Sequence, residues 1–233
     1  MVLLGTNVDA AAPTPCELKL ESGRCIRYVA PKDANHRKEL CSPLDQMVCW
    51  EGVNSMCWVL DCIIEEDKET DFFEGKNVLE IGFATGILSV FAYENGANEV
   101  ALHSPSKSSL DLYCIPTIRR NAIPDNKCKF SSGDLSQMRK SIGGKKFDVI
   151  LAAELLNRGE EEFDMVLQIL DEALSHDGIC FLSSPTHYFT VNSNLTTFIE
   201  RVKIQRKFDV IERWSSPRTD VVQSKVRVKS TVL

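Results

Sequence analysis

Two glycines four residues apart close the segment Val78-Leu79-Glu80-Ile81-Gly82-Phe83-Ala84-Thr85-Gly86, directly after an apolar run and before the apolar helix start Ile87-Leu88-Ser89-Val90-Phe91. Glycine lacks a Cβ and tolerates positive φ, so a strand turning into a helix on glycine lets backbone approach a ligand closely. Nucleotide-shaped cofactors are held at such junctions. The pyrophosphate fingerprint G-x-G-x-x-G is absent, which points away from a dinucleotide. Farther along, Asp134 ends "SSGD", Glu154 follows the apolar run Val149 to Ala153, and His187-Tyr188 stand in "SSPTHYF". Carboxylates, an imidazole and a phenol are groups that bind hydroxyls and hold or move protons. No nucleophilic triad is visible. Nine cysteines form no C-x-x-C pair and only four histidines accompany them. A metal site is therefore not expected, and buried reduced thiols in a cytosolic or nuclear protein are.

An alternation of strands and helices must position these groups. "NVLEIG" predicts a strand and "GILSVFAYENGA" a helix closed by Gly96. "EVALHS" predicts a second strand, and "SKSSLDLYCIPTIRRNAI" a helix that Pro116 kinks or interrupts. "CKFSSGD" is a third strand and "FDVILAAEL" a fourth, apolar enough to be buried on both faces. Phe163, Val166, Leu167, Leu170, Ala173 and Leu174 follow helical spacing in a helix stopped at Gly178, before a fifth strand "ICFLSS". The helix "NLTTFIERVKI" then leads to two strands, "FDVIERWSS" and "VVQSKVRVKSTVL", joined by "PRTD". Alternation ending in a hairpin predicts an α/β fold: a doubly wound, mostly parallel seven-stranded sheet with an antiparallel C-terminal hairpin. Val78–Ile81 is the expected central strand, with 148–153 as its parallel neighbour. Ligands of such sheets sit at the carboxyl ends of the strands, which places the site at Gly82 to Gly86.

The 233 residues suit one domain over 16–233, with 1–15 expected as a flexible tail lacking the features of a signal peptide. No apolar run reaches the ~20 residues of a membrane span. The net charge is −6, yet Ile199 to Leu233 holds nine Lys/Arg against four Asp/Glu. An acidic chain argues against direct nucleic-acid binding, and the basic tail reads as a solvated face. The final "TVL" has the shape of a C-terminal peptide ligand but is expected to complete an edge strand.

The strand "VLEIG", the acid in "GDL" and the closing hairpin together resemble the S-adenosylmethionine-dependent class I methyltransferases. Three segments narrow the resemblance to the protein-histidine methyltransferases of the methyltransferase-like group. "WEGVNSM" resembles their Y-E-G-G stretch, "AAELL" their S-E-T-I-Y segment, and "SSPTHYFTV" their S-K-A-H-Y-F loop. The resemblance implies S-adenosyl-L-methionine as cofactor, bound by Glu51, Gly52, Glu80, Gly82, Phe83, Thr85, Gly86, Ser104, Asp134 and Ala153. Gly82 to Gly86 would line its methionine end and Asp134 its adenine end. Glu154 would hold a substrate imidazole N–H, with His187 and Tyr188 lining the substrate groove. The family's product is a methylated histidine in a large-subunit ribosomal protein, so the implied partner is a protein.

This chain departs from that pattern. The family's G-C-G-x-G turn is Gly82-Phe83-Ala84-Thr85-Gly86, and its ribose-binding aspartate falls on Ser104. Val53 replaces the second glycine of Y-E-G-G, Cys57 a tryptophan, and Asn157 the tyrosine of S-E-T-I-Y. The glycine loop after H-Y-F is "TVNSN". Ala84 is expected to crowd a cofactor, and Ser104 to bind ribose weakly. Two alternatives stand beside a histidine methyltransferase: a protein-lysine methyltransferase, and a binding module of the same fold that has lost catalysis.

Overall fold

The computed structural model describes residues 13–31, 44–66, 71–188, 191–215 and 221–227, with side chains for 50–65 of the long helix and as far as Ile211 near the carboxyl end. Seven strands form one sheet: β3 (Asn77–Gly82), β4 (Glu99–Ser104), β5 (Cys128–Ser132), β6 (Phe147–Ala153), β7 (Leu174–Pro185), β8 (Asp209–Ser215) and β9 (Val221–Arg227). Their order is β5-β4-β3-β6-β7-β9-β8; the first five are parallel, and β9 runs antiparallel to both its neighbours. The expected doubly wound sheet with a closing hairpin is what forms. β6 rather than β3 takes the middle position, with β3 directly beside it. Residues 228–233, including the terminal "TVL", lie outside the described residues.

Alternate residues of these strands enter two cores. Val78, Val100, Val149, Leu151 and Phe181 pack on the side of α1 (Leu44–Glu66), α2 (Ile87–Glu94) and α4 (Ile115–Arg120). Leu79, Ile81, Ile150, Ala152 and Leu182 pack on the side of α5 (Leu135–Ile142), α6 (Phe163–Ala173) and α7 (Leu195–Gln205). Helices on both faces are why β6 reads as an unbroken apolar run.

Pro116 acts as anticipated. After the short α3 (Lys107–Ser109), Leu110–Cys114 widens into a π-turn in which Ile115 N donates to Leu110 O, and α4 restarts with proline near its first position. Proline has no N–H to give a carbonyl four residues back, and the wider turn accommodates its ring. The helix expected to reach Gly178 ends at Ala173 instead, and β7 starts at Leu174. Ser175, His176 and Asp177 offer no apolar residue to continue the buried stripe, and Leu174 pairs with Phe147 of β6; the register then jumps to Val149 against Ile179.

Two elements were not foreseen. α1 lays 23 residues across the sheet face, and β1 (Pro13–Lys19) pairs with β2 (Cys25–Pro31) in a separate hairpin. β1 takes in three residues expected as tail. Buried Asp61 of α1 accepts from Ser22 N (3.0 Å) and Arg24 Nη1 (3.2 Å), anchoring the hairpin turn. The backbone of Val29 donates to Thr117 Oγ1, and that of Arg27 to Asn121 Oδ1, so α4 side chains cover the outer edge of β2. Val29 N therefore points away from β1, which makes its partner Pro15, and Pro13 two residues on, edge positions. Prolines there remove donors that could recruit another strand. Among the described residues no helix is long and apolar enough to cross a membrane.

Candidate active site

The glycine turn is built around Glu80. This fully buried carboxylate accepts Thr85 N (2.8 Å) and Gly86 N (2.9 Å) on one oxygen, and Ser89 N (2.8 Å) and Ser89 Oγ (2.6 Å) on the other. Thr85 Oγ1 accepts Ile87 N, Phe83 N donates to Ala153 O, and Ala84 N to Gly82 O. Every amide from residue 83 to 87 is thus consumed inside the protein. Helix amino termini bind phosphate through such free amides; here a carboxylate of the chain occupies that position. Burial raises the Glu80 pKa, and the Ser89, Thr85 and Gly86 donors counter it. Glu80 and Thr85, expected to touch cofactor, instead shape the turn.

Both glycines of the turn are obligatory. Gly82 (φ 83°) lies so near β6 that a Cβ would meet Ala153 O at 2.2 Å, and one on Gly86 (φ 84°) would meet Cys114 O at 3.0 Å. Phe83 is half-buried and meets Trp50 of α1 edge-on (5.5 Å, 84°), and Trp50 packs on Tyr28 of the hairpin. Ala84, expected to crowd a cofactor, is itself buried. Its methyl joins a buried cluster of Leu102, Leu110 and Cys114, and its carbonyl accepts the Cys114 thiol (3.1 Å).

The second part of the site forms where β6 ends. Glu154 is 2% exposed with its backbone in the left-handed region (φ 53°), rare for a residue bearing a Cβ. Its Oε2 accepts the Tyr188 phenol at 2.7 Å, while Oε1 is buried and finds no partner among the described residues. Oε1 lies against the bare Cα of Gly52, where a Cβ would come within 2.0 Å. Burial pushes the Glu154 pKa up to about 8, with the Tyr188 hydrogen bond as the counterweight. Near neutrality this acid is mostly protonated. Glu154, Tyr188, Gly52, Gly82 and Ala153 are therefore brought together.

Other expected residues stand apart. His187 is exposed, its ring against Thr186 Oγ1, while Tyr188 turns inward, so the pair does not share one wall. Glu51 is exposed on α1. Ser104 is buried, and its hydroxyl donates to Ser106 O while accepting Ser106 N, closing its own turn. His103 faces β5: its Nε2–H donates to Gly133 O and its Nδ1 accepts the Ser131 hydroxyl. Burial holds its pKa low, so it is a neutral, fully bonded imidazole. Asp134 caps α5, accepting Gln137 N (2.8 Å) while the Gln137 side chain accepts Asp134 N (3.1 Å). This capping box, D-x-x-Q, was readable in the sequence. Asp134→Ala is expected to cost about 1 kcal/mol in urea unfolding through the lost cap. Phe189, the residue after the pair, lies outside the described residues. Among the described residues no group of three or more His, Cys, Asp or Glu could hold a metal.

No family model matches the chain. An uncharacterized protein of Caenorhabditis elegans is 52% identical over 235 residues, covering 97% of each chain. The histidine protein methyltransferase 1 homolog of Dictyostelium discoideum is 29% identical over 153 residues, 65% of this chain and 48% of that one. The protein N-lysine methyltransferase METTL21A of Danio rerio is 29% identical over 180 residues, 74% of this chain and 77% of that one. At 52% identity over nearly its whole length this chain belongs to one family with the Caenorhabditis elegans protein, and at under 30% identity it is similar to the protein-histidine and protein-lysine methyltransferases. It spans about half the length of the histidine methyltransferases it matches. A candidate SAM-dependent methyltransferase from Streptococcus mutans superposes with a TM-score of 0.57 at 16% identity, covering 97% of this chain and 57% of that one. The chain thus has the class I methyltransferase fold, with its turn, Glu154 and Gly52 at the carboxyl ends of β3 and β6.

Proposed function

We propose that this chain transfers a methyl group from S-adenosylmethionine to a histidine of a protein substrate. One observation carries the reading: the glycine turn has the shape of a cofactor cradle, yet Glu80 and neighbouring groups consume its amides. A turn that spends its amides on the chain itself, beside a buried acid, suits a cofactor with positive charge and no phosphate. S-adenosylmethionine is such a molecule, and when bound it supplies an electrophilic methyl on a sulfonium.

The chain's residues have the rest to do. Gly82 and Gly86 let the turn pack tightly against β6 and against Cys114 and Thr117, and Phe83 is held beside it by Trp50. A neutral imidazole is nucleophilic at one nitrogen when the other keeps its proton, with an unperturbed pKa near 6.5. Ionised Glu154 can accept that N–H, fixing the tautomer and aiming the free nitrogen; Tyr188 fixes the carboxyl. The segment His187-Tyr188-Phe189 favours histidine over the lysine alternative, while Asn157 departs from the tyrosine of either pattern. A large-subunit ribosomal protein is the substrate class suggested by the resemblance.

Ser104 and Asp134, committed to a turn and a cap, favour the second reading of a binding module without turnover. Incubation with radiolabelled S-adenosylmethionine and ribosomal protein extract separates them. Label recovered as methylhistidine, and lost at least about a hundredfold in Glu154→Ala, is expected. Label in methyllysine would replace the substrate assignment, and no label would leave the module.

A further inference from the structure

We propose that Glu154 is the receptor for the positive charge of the cofactor, and that its carboxyl releases its proton when that charge arrives. This rests on the cofactor reading above and adds the order of events at the site. Glu154 is poorly justified as a structural residue. Its backbone is left-handed, one oxygen is orphaned, and Gly52 must lack a Cβ to leave it room. Strain and orphaned polar atoms persist where function holds them.

Among the described residues nothing gives the carboxyl a counterion. α1 contributes exposed Glu51 and Asn54, whose Oδ1 is the other buried oxygen without a partner among the described residues. β3 contributes Glu80, consumed by the turn. The chain after β7 contributes the Tyr188 phenol and, turned toward Thr186, His187. Glu154's own loop contributes Arg158, whose guanidinium is held by Leu155 O (2.7 Å) and Glu162 (3.1 Å). Burial therefore wins, and the carboxyl stays protonated up to about pH 8. The ammonium of the cofactor beside Oε1 supplies the missing attraction. The carboxyl O–H bond then breaks, its proton passes to solvent, and the carboxylate pairs with the cation. The carboxylate accepts an imidazole N–H more strongly than the neutral acid does, so cofactor binding favours substrate binding after it.

The test is calorimetric titration of the full chain with S-adenosylhomocysteine, which retains the ammonium, at one pH in buffers of different ionisation enthalpy. Wild type is expected to release about nine-tenths of a proton per ligand at pH 7 and about a tenth at pH 9, with affinity rising about tenfold per unit below pH 8. Glu154→Gln should bind without that release. Tyr188→Phe, which keeps the carboxyl but removes a donor that lowers its pKa, should release more than wild type at pH 8. Binding with no proton release, or with equal release in Glu154→Gln, overturns the proposal and leaves the cofactor reading intact. Silence up to millimolar ligand overturns both.

Discussion

Glu80→Ala is expected to destabilise the fold by at least about 3 kcal/mol and to abolish ligand binding at the turn. The substitution orphans three backbone amides, those of Thr85, Gly86 and Ser89, together with the Ser89 hydroxyl. All lie in the buried start of α2, where water cannot readily replace the carboxylate. Each buried donor left unpaired costs on the order of 1–3 kcal/mol, against a whole stability of about 5–15 kcal/mol. Glu80→Gln separates charge from shape. Its carbonyl can keep Thr85 and Gly86, but its NH2 faces Ser89 N as a second donor, so one arm is lost and the cost should be about half. Urea unfolding gives the energies, and hydrogen exchange gives the location. Thr85, Gly86 and Ser89 amides should lose protection in Glu80→Ala, with β6 amides unchanged relative to global unfolding. Equal stability of wild type and Glu80→Ala would mean that the carboxylate does not hold the turn.

The sheet was legible because burial on both faces writes itself as apolar runs, and Gly82 and Gly86 because the turn requires positive φ. The hairpin was not. Its first strand is half-exposed and interrupted by Pro13 and Pro15, which serve at an edge but read as breakers. α1 was visible only as the segment around Gly52, with no sign that its Cα faces Glu154, 102 positions away in the chain. Site residues are hardest to read where one residue type serves two ends. Asp134 as a helix cap and Asp134 as a ligand look alike in "GDLSQ" until Gln137 is counted. Ser104 looks like a lost acid, and the hydroxyl in fact closes the turn to Ser106. Trp50 and Tyr28, which back Phe83, carried no signal beyond being aromatic; contacts between distant segments are not written in local spacing.

Stability should fall as pH rises from about 4.5 to about 8, and Glu154→Gln should remove part of that slope. A carboxyl whose folded pKa is raised binds its proton more tightly folded than unfolded. Its favourable contribution is complete below the unfolded value, near 4.5, and is gone once pH passes the folded value of about 8. A shift of that size corresponds to an upper bound of about 5 kcal/mol between the two ends of the window. Glu80, also raised by burial, adds slope of the same sign, so the variant flattens the profile without abolishing the dependence. At pH 5 Glu154→Gln should sit near wild type or slightly below it, because the amide keeps the Tyr188 bond and leaves its NH2 against Gly52 in place of Oε1. At pH 9 the order should reverse, since wild type must then hold an unpaired carboxylate in the interior while glutamine stays neutral. Thermal melts of both proteins at half-unit pH steps show the crossing. Parallel profiles across the window would mean that Glu154 is ionised throughout, with a partner that satisfies Oε1.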